Sequence, residues 1–469
     1  VCCGLNSIGI GSGGGVGKIT AEWLMTGHIN EDIFSYDIKR FQKFHSELGF
    51  IKKRITETLG DLYGMHWPFK QHKTSRNIKT LPYHNDLKSF GACFGVSGGY
   101  ERPMWFALDG EVANYEYSYN YQNWYPSAEY ETSNTIKNVG LFDLTPFSKF
   151  EIKSEKAQQE LQKICTANIK EDIGKCTYTH MLNTDGGIET DLTVVCVDEN
   201  HYRIISSAAT RERDKFHIKK HLSDDIELID VTDNYCVFGL FGPKSRELIK
   251  TLSNDNFDNE NFKFGTAKNI SIDGKNIWAQ RLSYVGELGY ELYVKFEESK
   301  KIYDLLIEKG KDFNLSNCGM HAMDIMRMES GFLHWGHDIS PEENQYQAGL
   351  SFTISNKKEI DFIGKKALEK IKNNNIKTRF SMFILKNSRP GEPLLLHDEP
   401  IYMNDKIIGR TTSGNYSFNF KKNLSFGYIK SEISNKDLQS NKLYIEVEKK
   451  KFEAELLLKP LKKTKYKEI

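Results

Sequence analysis

Residues 183–197 read NTDGGIETDLTVVCV, a turn followed by a β-branched run. Thr184, Asp185, Gly186 and Gly187 read as a tight turn, because Gly tolerates φ > 0, and Ile188 to Val197 then has the composition of a strand. Alternation along that strand puts Ile188, Thr190, Leu192, Val194 and Cys196 on one face and Glu189, Asp191, Thr193, Val195 and Val197 on the other. Both faces turn apolar toward the C-terminal end. Asp191 therefore falls where a carboxylate loses water, and desolvating an unpaired carboxylate is costly enough that the residue needs a partner or a role.

Around this strand, from Gly140 to about Phe296, short β runs alternate with helical segments, the pattern of an α+β domain. A helix follows near CGMHAMDIMRMESGF (318–332). The lysine-rich NKKEIDFIGKKALEKIKNNNIK (356–377) reads as a solvated helix and linker and not as a nucleic-acid site. After Lys377, RFSMFIL (379–385), PIYMNDKIIGRTTSG (400–414) and LSFGYI (424–429) are short strands with polar turns, a small β domain closing the chain. Upstream, residues 28 to about 84 are mixed, with a helical stretch near Asp37 to Leu59. The aromatic run NYEYSYNYQNWYP (114–126) is read as packing, since no basic groove pattern accompanies it.

A length of 469 residues suggests two to four domains, and 64 basic against 63 acidic residues leave a net charge of +1. No overall field favours nucleic acid or an anionic membrane, so small-molecule chemistry is the expectation. The eight cysteines form no CxxC pair and no zinc-site spacing, which fits mostly buried thiols in a reduced compartment. No apolar stretch approaches the ~20 residues of a membrane helix. A chain that begins at Val1 suggests that the true N-terminus lies elsewhere, so targeting signals stay open.

The opening SIGIGSGGGVGKITAEWLMTG (7–27) reads as a glycine-rich loop running into a helix from about Val16 to Met25. Gly9, Gly11 and Gly14 satisfy GxGxxG, yet only VCCGLNS precedes them, a poor first strand for a dinucleotide fold. A phosphate-binding P-loop is excluded too, because Ser12 stands where its first glycine belongs and Ile19 where its Ser or Thr belongs. What remains is a glycine-lined helix N-terminus whose free N–H groups could approach an electron-rich ligand atom.

Four segments in order, VGLFDLTPFSKFEI (139–152), GGIETDLTV (186–194), LSYVGELGYELYV (282–294) and GMHAMDIMRMESGFLHWGHDISPEEN (319–344), resemble the folate-dependent aminomethyltransferase family, the T-protein of glycine cleavage. The stretches at 76–106, GHDISPEEN (336–344) and GRTTSGNY (409–416) resemble the fused flavoproteins of the dimethylglycine and sarcosine dehydrogenase or oxidase type, which carry this unit as their C-terminal half. The resemblance covers essentially the whole chain. It implies a multidomain α+β fold: a remnant of the FAD domain over 1–27, the central oxidoreductase module over 28–84, the folate-binding unit over 85–365 and a C-terminal β-barrel over 376–465.

It also implies tetrahydrofolate and, in a full-length protein, FAD as cofactors. The substrate would be a small N-methylated amino acid, with no nucleic acid and no membrane insertion, in the cytoplasm or, in a eukaryote, the mitochondrial matrix. Asp191 matches the family's catalytic aspartate, and a partly desolvated carboxylate has the raised pKa that proton exchange near neutrality requires. Glu291 matches the acid that grips the pterin, whose 2-amino group and N3–H are two parallel donors for one carboxylate fork. Tyr290, Leu292 and Val294 would then fill the core on the other face of the strand, while Gly286 and Gly289 mark close backbone approach. Tyr284 matches the tyrosine beside the folate, and Gly13 and Gly14 the helix end at the flavin.

One anchor departs from the pattern: Met323 in HAMD stands where separate T-proteins commonly have an arginine. Arg327 resembles a later arginine of that motif, with Asp324 placed for a helix salt bridge. His334 and His337 lack a third ligand at a readable spacing and are assigned a structural role, so no metal is expected. A stand-alone tetrahydrofolate-dependent transferase and a catalytically silent regulatory homologue remain as alternatives.

Overall fold

The computed structural model describes residues 2–5, 7–374 and 376–464. Two sheets form the centre. The first is six-stranded, in the order Ala267–Ile272, Lys275–Gln280, Gly289–Lys295, Tyr235–Phe241, Val139–Asp143, Leu315–Cys318; all neighbours are antiparallel except the last pair. The second is an antiparallel five-stranded sheet, Cys176–Leu182, Ile188–Asp198, His201–Ser206, Ser148–Lys153, Ile229–Asp230. A closed six-stranded barrel, Thr378–Leu385 to Lys450–Leu457, ends the described chain, and closure removes the exposed strand edges that invite aggregation.

The turn and strand at 183–197 fold as the alternation predicts. Asn183 stabilises the turn by accepting the N–H groups of Asp185 and Gly187 at 3.0 and 2.9 Å, and Gly186 sits at φ +88°. Ile188, Thr190, Leu192, Val194 and Cys196 are buried, while Glu189, Asp191, Thr193 and Val197 on the opposite face are half-buried. The six-stranded sheet divides its residues in the same way. Ile277, Ala279, Tyr290, Leu292 and Val294 enter the main core together with the helix Ser299–Gly310, whereas Trp278 and Tyr293 face a second cluster. That second cluster also contains Cys176, Val195 and Ile205 of the other sheet, so the two sheets meet face to face over it.

The helix Met320–Glu329 runs from the first sheet to the barrel, and Arg327 ties the units together. Its Nε donates to Asp324 at 2.8 Å, Nη1 to Asp338 at 2.6 Å and Nη2 to the barrel residue Ser413 at 2.8 Å. The expected Asp324 salt bridge is thus one arm of a larger buried hub. Met323, at the position of the missing arginine, is buried in the inter-sheet cluster. The aromatic run is packing, with Trp124 stacked on His321 at 3.8 Å and Tyr115 on Tyr117 at 5.6 Å.

Two expectations for the N-terminal region are corrected. Helix formation begins at Gly9 and continues to Thr26, so the glycines are helical and form no loop. Ser12 N–H already bonds Ile8 at 3.0 Å, so Gly13 and Gly14 lie past the free N–H groups of the first turn and cannot serve as the helix end. Glycine's low helix propensity made a loop the reasonable reading, and a weak propensity was overridden. The helical stretch expected over Asp37 to Leu59 is instead three short 3₁₀ turns between Phe34 and Ser46, followed by the helix Leu48–Asp61.

Candidate active site between the two sheets

Asp191 lies on the inner face of the five-stranded sheet directly across from His180. Tyr178, on the same face of the neighbouring strand, donates its hydroxyl hydrogen to Asp191 Oδ2 at 3.0 Å. The surrounding protein desolvates the carboxyl and pushes its pKa up to about 7; the Tyr178 hydrogen bond opposes the shift and the buried Asp214 carboxylate adds to it. An acid poised near 7 can both take and return a proton at neutral pH. His180 is fully buried, its pKa pushed down to about 3 by that burial, and it is neutral there; its Nδ1 bonds Thr353 at 3.0 Å. The alternation of Cys176–Leu182 and the register set by the 183–187 turn place Tyr178 beside Asp191, a placement that Asp191's own strand could not reveal.

Glu291 lies on the facing sheet. Desolvation pushes its carboxyl up to about 7 as well, against the Tyr293 hydroxyl, which donates to it at 3.0 Å. Tyr293 is braced by Arg203, whose guanidinium sits 5.7 Å over its ring and donates to Glu151 at 2.6 Å. Gly289 and Gly286 do mark close approaches, but to protein: a Cβ on Gly289 would lie 2.1 Å from the Phe241 ring, and one on Gly286 2.1 Å from Ser330 Oγ. Tyr284 donates to Leu333 O at 2.8 Å and stacks on Phe332 at 6.0 Å.

These groups lie near one another on the facing sides of the two sheets. Asp191 acts electrostatically on Tyr284, Tyr284 acts on Tyr178, and Glu291 acts on Cys176 across the sheets. Cys176 and Tyr178 are two residues apart on one strand, roughly 7 Å, so the neighbourhoods of the two carboxylates adjoin along that strand. The structure thus brings Asp191, Tyr284 and Glu291 together and leaves Gly13 and Gly14 outside. Cβ atoms built on Gly11, Gly13, Gly14, Gly15 and Gly17 would meet nothing within 4 Å, and these residues do not by themselves make a flavin site.

Other clusters are accounted for by internal bonding. Glu57, Asp61 and His72 form the group among the described residues that could hold a metal ion. Glu57 already accepts the N–H groups of Lys73 and Thr74, and Asp61 accepts from Lys70 at 2.5 Å. His334 packs against His337 at 4.7 Å between rings, beside the Arg327 hub. A separate cavity lies where the segment 23–39 meets the five-stranded sheet, lined by Trp23, His28, Lys39, Glu189, Arg213 and His217; Asp191, Tyr284 and Glu291 do not line it. All eight cysteines are free thiols, six of them buried, and no described helix is long and apolar enough to cross a membrane.

Comparison with known proteins agrees with this architecture. The family model "FAD dependent oxidoreductase central domain" matches residues 26–80, and "Glycine cleavage T-protein C-terminal barrel domain" matches 379–463. The chain is 36% identical over 417 residues to a 4-methylaminobutanoate oxidase (formaldehyde-forming) of Paenarthrobacter nicotinovorans, covering 89% of this chain and 50% of that protein. It is 29% identical over 462 residues to the mitochondrial dimethylglycine dehydrogenase of Rattus norvegicus, covering 97% and 53%. The chain therefore spans about half the length of the curated relatives it matches. The crystal structure of the glycine cleavage system aminomethyltransferase T from Bartonella henselae has the same fold, with a TM-score of 0.70 at 20% identity over 83% of this chain and 99% of that one. The model described as "GCVT N-terminal domain" matches residues 83–358, more than half of the sequence, and with the barrel behind it the chain belongs to the glycine cleavage T-protein (aminomethyltransferase) family.

Proposed function

We propose that this chain is the one-carbon-transfer portion, with the central module, of an FAD-dependent oxidoreductase acting on a small N-methylated amino acid, and that tetrahydrofolate is the acceptor. The observation that carries the reading is the pair of carboxylates on facing sheets, Asp191 and Glu291, each raised to about 7 by the surrounding protein and each accepting from a tyrosine hydroxyl. The names of the relatives, an oxidase of 4-methylaminobutanoate and a dehydrogenase of dimethylglycine, support the substrate class. In such an enzyme the flavin supplies the two-electron oxidation that turns the N-methyl amine into an iminium.

The residues of this chain act once the iminium has formed. Glu291 holds the 2-amino and N3–H donors of the pterin through both carboxylate oxygens. Tyr284 walls the heterocycle, and the two packed sheets keep bulk water from an electrophile that it would hydrolyse. As N5 and N10 of tetrahydrofolate bond the one-carbon unit, they release two protons while the C–N bond to the amine breaks. Asp191 would accept the two protons one after the other and pass each to the amine nitrogen, which leaves as an ammonium carrying both, so that atoms and charge balance. Tyr178 holds the carboxylate in place for both transfers.

The test is calorimetric titration of tetrahydrofolate into the wild type, Glu291→Gln and Asp191→Asn. Glu291→Gln turns one acceptor toward a pterin donor and should weaken binding by about 1.5–3 kcal/mol, the value of hydrogen bonds to a charged group. Asp191→Asn should bind within severalfold of wild type, because the pterin anchors lie elsewhere. Equal affinity for wild type and Glu291→Gln removes Glu291 from the site, and absence of binding to all three sinks the folate reading in favour of a silent homologue.

A further inference from the structure

Gln280 ends the strand Lys275–Gln280 and pairs directly with Glu291 in the antiparallel ladder. The row continues through Gly239 to Phe142, and Ala267, Phe142 and the strand-mate Trp278 of Gln280 all belong to the inter-sheet cluster. Directly opposed residues share a face, so Gln280 points into the same cleft as Glu291. Its side chain is 0% exposed, and neither its Nε2 nor its Oε1 has a hydrogen-bond partner among the described residues. Buried amides are almost always bonded. An amide with both ends free beside a carboxylate that has a single tyrosine partner is therefore poised for something that enters the cleft.

The pterin edge presents three groups in sequence: the 2-amino donor, the N3–H donor and the 4-oxo acceptor. A carboxylate fork satisfies the first two and leaves the third. Directly opposed side chains on neighbouring strands start with Cβ atoms ~5 Å apart, the spacing needed for a second group to meet the next atom along that edge. A carboxylate there would repel the oxygen; an amide can donate. We propose that Gln280 is a second anchor of the pterin, donating an Nε2 hydrogen to the 4-oxo oxygen while Glu291 takes the two donors. This rests on the folate reading above and specifies how that site recognises its ligand: Gln280 distinguishes a 4-oxo ring by supplying the one donor that Glu291 cannot.

The experiment compares the wild type with Gln280→Met, of similar length and apolar, and Gln280→Glu, of equal size with the donor removed. Tetrahydrofolate affinity is measured by calorimetry, folding by thermal denaturation, and the hydrogen bond by difference infrared spectra with ¹⁸O at the 4-oxo position. The expectation is a roughly tenfold loss of affinity in Gln280→Met, the value of one hydrogen bond, and a larger loss in Gln280→Glu. Melting temperatures stay unchanged or rise in Gln280→Met, and the labelled carbonyl band shifts to higher frequency in both variants. If the wild type binds but Gln280→Met binds equally well, or the carbonyl band does not move, the inference is overturned while the folate reading stands. A lowered melting temperature in Gln280→Met with unchanged affinity assigns the amide to the fold and likewise overturns it. A wild type that does not bind overturns both.

Discussion

Replacing Asp191 by Asn should stabilise the protein, and by an amount that depends on pH. Burial raises the carboxyl to about 7 in the folded chain, against ~3.9 for an unfolded aspartate. The sign comes from the proton count. Below pH ~4 the group is protonated in both states and contributes nothing; as pH climbs from ~4 to 7 the unfolded chain gives up the proton freely while the folded chain gives it up at a cost, so the wild type loses stability across that window and then levels off. At ~1.36 kcal/mol per pKa unit, the loss is about 1–2 kcal/mol at pH 5 and roughly 4 kcal/mol at pH 8. Asparagine still accepts the Tyr178 hydroxyl through its oxygen, but its NH₂ must find a partner in the cleft, a cost of about 1 kcal/mol. The net prediction is near-equality at pH 5 and a gain of about 3 kcal/mol at pH 8, read by calorimetry as a transition several degrees higher. A difference in melting temperature that stays constant from pH 5 to 8 would refute the reasoning, because it would mean that the Asp191 carboxyl keeps its water in the folded chain.

The Arg327 hub and the N-terminal helix each give a further expected outcome. Arg327→Met removes the cation between Asp324 and Asp338 and leaves the fully buried Asp338 uncompensated; the expected loss is about 3–5 kcal/mol, measured by thermal unfolding, and a loss below ~1 kcal/mol would show that the hub does not hold the barrel to the helix. The chain purified with added FAD should elute from gel filtration without stoichiometric flavin, because the helix Gly9–Thr26 offers only the few free N–H groups of its first turn; flavin that co-elutes refutes this.

Much of the candidate site was legible as a placement of side chains, because that placement is carried by alternation along single strands. Asp191 is identified as a desolvated acid from its own strand, and Glu291 is separated from Tyr290, Leu292 and Val294 by the same period of two. Local pattern also gave the first four of the six barrel strands, Thr378–Leu385 to Lys422–Lys430, the turn at 184–187 and the scattered free thiols, but not the closing pair Leu443–Val447 and Lys450–Leu457. The glycine-rich opening was misread for the converse reason: glycine reports backbone freedom, not the conformation a particular chain adopts, and here it is helical.

The sequence by itself determined which side chains share a face, since strand alternation is a property of the local backbone, and so it marked Asp191 and Glu291 as inward-facing acids. Only the tertiary structure decided what they face. Tyr178 reaches Asp191 through a hairpin register, Gln280 stands beside Glu291 through a ladder between two strands, and the two sheets meet over the apolar cluster next to them. Desolvation that carries two ordinary carboxyls to about 7 is the sum of protein from many distant segments, and no window of sequence contains it.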